Sequence, residues 1–212
     1  MKRLVIVMIC LLLQACSSTT KGLGTSLWNS LWGDNGAKLT EDEIRDMPYA
    51  SQYVTLNGGP RLFVVLAYAE QGQQKWATQD SAVLVTQHGR LVKTLGLSDN
   101  LLEVNNLDVD PLRHVRTITE GEQWTRRAGW TEHQKVRYAT LRSTFHWAGT
   151  ETLDEFGITA AVHILDEEVT TDQTSWRNRY WVDNNGFIRQ SRQYIGGGYF
   201  PVTTFLLKAA KE

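Results

Sequence analysis

The sequence predicts a mainly β protein, with antiparallel sheets forming a sandwich or a partly open barrel and a few short helices. Three observations carry that expectation. Roughly eight to ten stretches of strand length, alternating or wholly apolar, follow one another beyond Tyr49. Two of the breaks between them, at His88-Gly89 and Asn184-Asn185-Gly186, have hairpin chemistry, because Gly tolerates positive φ. The strands do not alternate with long helices as a parallel sheet requires, and no internal repeat of fixed period is present.

The amino terminus comes first. Lys2 and Arg3 precede an apolar run from Leu4 to Leu13, closed by Gln14-Ala15-Cys16, which is the layout of a secretory signal peptide over residues 1–15. That run rises about 15 Å as a helix, too short for a hydrocarbon core of about 30 Å. Leu13-Gln14-Ala15-Cys16 also has the form of a bacterial lipobox, so cleavage before Cys16 and acylation of its thiol and amine are expected. Two membrane signals already give stable anchoring, so an acylated Cys16 makes the mature chain a tethered one. Ser17 stands where inner-membrane retention calls for Asp, which favours the outer membrane. Residues 16–26 are then the lipidated Cys and a flexible Ser/Thr/Gly tether, and residues 27–212 a single β-rich periplasmic domain. Leu27, Trp28, Leu31 and Trp32 share a helical stripe that either docks on the core or lies in the membrane interface, where Trp is favoured. Thr40 to Glu43 has the capping-box pattern, and Pro48 limits the helix that follows to about two turns.

The strands come next. Arg61 to Glu70 is apolar on both alternating faces, as in a buried central strand. Two β-rich runs flank His88-Gly89, and Asp110-Pro111 reads as a cap followed by Pro at the first helical position, opening a helical turn over residues 111–115. From Lys135 to Trp147, Ala139, Leu141, Phe145 and Trp147 fall on one face, opposite Tyr138, Thr140, Arg142, Thr144 and His146. Residues 157–169 and 174–183 continue as strands, Asn184-Asn185-Gly186 turns the chain into Phe187 to Ile195, and glycines 196–198 precede a terminal strand.

Composition narrows the chemistry. The net charge is -1, and it becomes more acidic once Lys2 and Arg3 are removed, so no basic patch of the kind nucleic acid requires is expected. Of the two cysteines, Cys10 leaves with the signal peptide and Cys16 is acylated, so packing must hold the fold in an oxidising compartment without disulfides. The five His stand at 88, 114, 133, 146 and 163 without metal-ligand spacing, His88 reading as a turn residue. No Ser sits in a nucleophile elbow. Asp154-Glu155, Asp166-Glu167-Glu168 and Glu120-x-Glu122 are of the type that hydrolyses glycosides, but adjacent carboxylates at strand ends read better as solvated charges. The glycine pairs and triplets at 58–59 and 196–198 read as turns.

The stretch Ser175 to Val182 is the most informative. On a strand, Arg177, Arg179 and Trp181 share one face, while Trp176, Asn178, Tyr180 and Val182 share the other. Guanidinium groups beside aromatic rings suit a polysaccharide, through bidentate pairing with acidic sugars. They suit equally an ordinary sheet face carrying cation-π pairs. Trp176, Arg177, Arg179, Tyr180 and Trp181 are the candidate surface for a polymer or a partner protein.

The lipobox, "KWATQDSAVLVTQHGRLVKTLGL" with its Trp76, Gly89-Arg90 and Gly96, and "SWRNRYWVDNNGFIRQSRQYIG" followed by "FPVTTFLLK" together resemble the YjbF/GfcB lipoproteins, named for group 4 capsule polysaccharide, from about Tyr49 to Lys208. The resemblance implies an outer-membrane lipoprotein, encoded with exopolysaccharide or capsule secretion components that include a periplasmic GfcC-like protein and an outer-membrane β-barrel. Only Cys16 carries over as a functional residue, with no catalytic residue and no cofactor. The expectation is therefore a non-catalytic accessory lipoprotein of exopolysaccharide export, bound to the membrane through its acyl chains and acting on exopolysaccharide or a partner protein. A carrier resembling the LolA/LolB lipoprotein chaperones, with acyl chains in an apolar barrel cavity, is the alternative, and a glycan-cleaving enzyme a third.

Overall fold

The computed structural model describes residues 39–78 and 81–210. The expected signal peptide, Cys16 with its tether, and the stripe of Leu27, Trp28, Leu31 and Trp32 lie outside them. The described residues open with a helix α1 (Glu41–Asp46), started by the expected capping box of Thr40 and Glu43 and over before Pro48. Among the described residues twelve strands follow: β1 (Ser51–Leu56), β2 (Arg61–Glu70), β3 (Gln73–Ala77), β4 (Val83–Gln87), β5 (Arg90–Leu95), β6 (Leu101–Val104), β7 (Gln123–Glu132), β8 (Lys135–Glu155), β9 (Ile158–Thr170), β10 (Ser175–Asp183), β11 (Ile188–Gly196) and β12 (Tyr199–Lys208). Between β6 and β7, 3-10 helices run over Leu107–Val109 and Pro111–Thr117, and the Asp110 side chain caps the second by accepting from the Leu112 amide at 3.0 Å.

All strands belong to one antiparallel sheet in the order β5-β4-β3-β2-β1-β12-β11-β10-β9-β8-β7-β6. Every strand pairs with its neighbour in sequence except at two places. β1 pairs with β12 and joins the two ends of the chain, while β5 and β6 form no ladder and only abut, with the Leu101 amide donating to Thr94 Oγ1 at 2.9 Å. The result is an up-and-down barrel closed everywhere but at one seam.

About eight strands enclose an interior that side chains just fill, so twelve in a circular section leave a lumen to be filled or flattened. Here β11 is drawn across the interior. Gly196 lies so near Trp130 of β7 that a Cβ would stand 2.3 Å from its ring, and Gln193 bridges to β5 by accepting from the Leu91 amide and donating to the Gly89 carbonyl, each at 2.9 Å. Two buried clusters fill what remains, one built on Trp76, Leu84, Trp130 and Ile195, the other on Trp124, Phe145, Leu165 and Tyr180 beneath the Pro111–Thr117 helix.

A third cluster lies on the outer face of β1, β2 and β12, where Tyr53, Phe63, Phe205 and Leu207 are covered by Ile44 of α1 and by Leu153 and Phe156 at the tip of the β8–β9 hairpin. This accounts for β2, whose apolar residues on both faces suggested a strand buried along its length. Its first half is covered on both sides, but residues 67–70 are exposed, because the outer layer stops short of them.

Candidate functional site

The strand carrying the candidate surface is β10, and the expected division of faces holds. Trp176 packs against the interior cluster and Tyr180 is fully buried, so neither lies on the outer surface with the rest of the group. Arg177, Arg179 and Trp181 point outwards and are already engaged. Asp166, the cross-strand partner of Arg179, receives Nε at 2.6 Å and Nη2 at 2.8 Å, and Glu168 receives Arg177 at 3.0 Å. Trp181 donates its indole N–H to Glu151, and the Arg179 guanidinium stands 6.0 Å from the Trp181 ring. Beside Arg179 in register on β11 is Arg192, exposed and set over the Tyr194 ring at 5.9 Å. This outer face is a cross-strand ladder of ion pairs and ring contacts with one further guanidinium at its edge.

The carboxylate clusters are engaged too. Glu120 receives the Trp147 amide at 3.1 Å and pairs with His146 at 2.5 Å, while Glu122 accepts from the Thr119 amide and Asp154 from the Thr159 hydroxyl. Asp166-Glu167-Glu168 departs from the solvated-charge reading. These residues lie within β9, and Glu167 is 0 % exposed in the barrel interior. Strand alternation turns Asp166 and Glu168 outwards and Glu167 in.

Around Glu167 the interior is polar. Arg90 Nη1 donates at 2.9 Å and Arg126 Nη1 at 3.1 Å, and Asn178, Tyr180 and Ser143 complete the shell at 2.9, 2.8 and 2.5 Å. Arg90 also clasps Asp110 with two bonds, of 2.5 and 3.0 Å, so two buried cations face two buried anions. Both guanidinium groups stand over the Trp124 ring, at 4.4 and 4.3 Å. Burial alone would raise the Glu167 carboxyl pKa, but Arg90 and Arg126, with Asn178 and Ser143, hold it far below the usual carboxylate range. Burial pushes the Tyr180 phenol well above its ordinary value. Sequence reasoning missed this network. An Arg at the alternating inward position of β7, between Trp124 and Ala128, was the available signal.

The mouth of the barrel beside α1 holds a cleft of about 340 Å³. The β4–β5 turn forms part of its lip, where His88 and Gly89 both take positive φ, 50° and 78°. The Pro111–Thr117 helix and Phe187, just before β11, complete the lip, and Gln52, Gln74, Trp76 and Thr86 line the rest. Gln52 is 5 % exposed, yet its amide nitrogen has no hydrogen-bond partner among the described residues. Burial, reinforced by Arg113, lowers the pKa of His88 and favours its neutral imidazole.

Among the described residues no helix is long and apolar enough to cross a membrane. Comparison with known proteins adds the following. The family profile described as "Group 4 capsule polysaccharide lipoprotein gfcB, YjbF" matches residues 24–207. The uncharacterized lipoprotein YjbF of Escherichia coli strain K12 is 64 % identical over 212 residues, covering 100 % of both chains. The uncharacterized lipoprotein GfcB of the same strain is 42 % identical over 213 residues, covering 99 % of this chain and all of that one. The crystal structure of the hypothetical lipoprotein YmcC from Escherichia coli K12 superposes with a TM-score of 0.80 at 42 % identity, covering 93 % of this chain and 100 % of that one.

Proposed function

From the premise that the chain belongs to the YjbF/GfcB family of group 4 capsule polysaccharide lipoproteins, we propose that it is a non-catalytic accessory of exopolysaccharide or capsule production and export. Acylated at Cys16, it sits in the outer membrane with its barrel in the periplasm and works by contact with the polymer or with a partner protein. The partners in view are an outer-membrane β-barrel and a periplasmic GfcC-like protein.

The observation that carries this reading is how the charged side chains are used. The carboxylates offered for glycoside chemistry at Glu120, Asp166, Glu167 and Glu168 are bonded to His146, Arg179, Arg90 with Arg126, and Arg177. Groups spent on internal pairing suit a contact protein. Arg177, Arg179 and Trp181, with Arg192 beside them, are the outer surface available to an acidic polymer or partner. The LolA/LolB-like alternative requires an apolar channel, whereas the buried Arg90–Glu167–Arg126 network puts charge inside the barrel.

The test is genetic and biochemical. Deleting the gene is expected to alter surface polysaccharide, and a Cys16→Ala form released into the periplasm is expected not to restore it. Full complementation by Cys16→Ala would sink the requirement for tethering. Pull-down of the acylated protein from outer membranes, with bound proteins identified, separates partner from polymer.

A further inference from the structure

We propose that the cleft at the α1 end of the barrel is a saccharide-binding site, with room for roughly one or two sugar rings at the small end of ligand pockets, about 300–1,000 Å³. This rests on the reading of the protein as a polymer-contacting lipoprotein and names the place and chemistry of that contact.

Gln52 is the first reason. A buried amide N–H without a partner costs stability, and Gln52 lies on β1 between Val64 and Leu206, where an apolar side chain would pack without that cost. An amide kept there is suited to an acceptor supplied from the cleft it lines. A sugar hydroxyl or ring oxygen is such an acceptor. A fatty acyl chain offers none.

The rest of the lining matches. Trp76 donates its indole N–H to Thr86 Oγ1 at 2.9 Å, which leaves the Thr86 hydroxyl hydrogen free to donate onwards. Gln74 adds a second side-chain amide with no partner among the described residues. His88 in its neutral form both donates and accepts. Phe187, 44 % exposed at the lip, presents a ring on which a sugar's C–H face can stack. Among the described residues Arg113 is the one charged side chain in the lining and no carboxylate joins it, so the chemistry there favours a neutral or acidic sugar over a cation.

The experiment uses the full acylated chain in detergent micelles, titrated with oligosaccharides from partial hydrolysis of the producing strain's extracellular polysaccharide and, separately, with palmitate. Binding is read calorimetrically and by Trp fluorescence. The expected result is saturable oligosaccharide binding that weakens at least tenfold in Gln52→Met with no fall in Tm. It should weaken likewise in Ala210→Trp, which narrows the mouth from the end of the chain and leaves the core untouched. Arg137→Ala, at an exposed position of β8 outside the cleft lining, should bind as the wild type does. Oligosaccharide binding unchanged in both cleft variants but lost in Arg192→Ala overturns the cleft and leaves polymer contact standing on the outer face. Palmitate binding that is lost in Ala210→Trp, with no oligosaccharide binding, assigns the cleft to lipid and overturns the proposal. No binding of either probe, with a protein partner captured from outer membranes, overturns the proposal and leaves the accessory role with its protein-contact arm.

Discussion

Glu167 illustrates how much one side chain can hold. It accepts from Arg90, Arg126, Asn178, Tyr180 and Ser143, which belong to β5, β7, β10 and β8, and it does so away from water. Removing one member of a buried ion pair leaves its partner uncompensated, at a cost of about 3–5 kcal/mol. Glu167→Gln keeps the shape and strands two guanidinium groups against Asp110 alone, so a loss of that size is expected in the urea-unfolding free energy at neutral pH. The pH dependence follows from the depressed carboxyl pKa. A group whose folded value lies below its unfolded one contributes in full above the unfolded value, and the contribution is lost as pH falls. Wild-type stability should therefore fall from 4.5, the ordinary carboxyl value, downwards, and Glu167→Gln should lack that part of the slope. Parallel curves for the two proteins would mean that Glu167 is not the residue responsible. The network was hidden in the sequence because Asp166-Glu167-Glu168 has the composition of a loop, and only placement inside a strand reveals that alternation buries its centre. Arg177, Arg179 and Trp181 were assigned to one face correctly, since the period of a strand needs nothing but the residue order.

Strands and turns differ in how far they could be read. The β4–β5 and β10–β11 hairpins, the capped Pro111 helix, the capping box and the alternation of β8 follow from local chemistry and were legible. β1, β3, β6 and β7 were not. β3 and β6 have only five and four residues, β1 is short and polar at its start, and β7 interrupts its inward apolar face with Arg126. Nor could the sequence indicate that β8 runs on for 21 residues, bulged at Trp147 and Gly149, so that its far end covers α1's side of the barrel. Gly196 belongs to this scale, because it sets how close β11 comes to β7. A methyl group there would meet the Trp130 ring at 2.3 Å, and overpacking of this kind costs about 1–3 kcal/mol. Gly196→Ala is expected to lower the denaturation midpoint accordingly, and Trp130→Leu in the same background should recover part of the loss by vacating the space. If the double variant is simply additive, the two strands do not meet there.

At the scale of the molecule the decisive feature is the seam. Eleven ladders join the twelve strands, and between β5 and β6 the ring is held by side chains. Arg90 opens β5 and Asp110 follows β6, so their two hydrogen bonds are a clasp across the one place where backbone pairing is missing. A seam closed by side chains opens more readily than a ladder, since strand amides freed there lose few bonds. The expected outcome is that amide exchange in β5 and β6 proceeds by local opening, ahead of β8, β9 and the β1–β12 pair. Asp110→Asn should accelerate exchange in β5 and β6 by tenfold or more, which corresponds to about 1.4 kcal/mol, with little change in β8 and β9. The substitution keeps an oxygen to cap Leu112, so the 3-10 helix can persist while the charge of the clasp is lost. Acceleration spread evenly over all strands would show that the barrel opens only as a whole and that the seam is no weaker than its ladders. Acceleration confined to β5 and β6 would identify the side on which this otherwise continuous wall admits movement, next to the mouth where His88 forms the lip of the cleft.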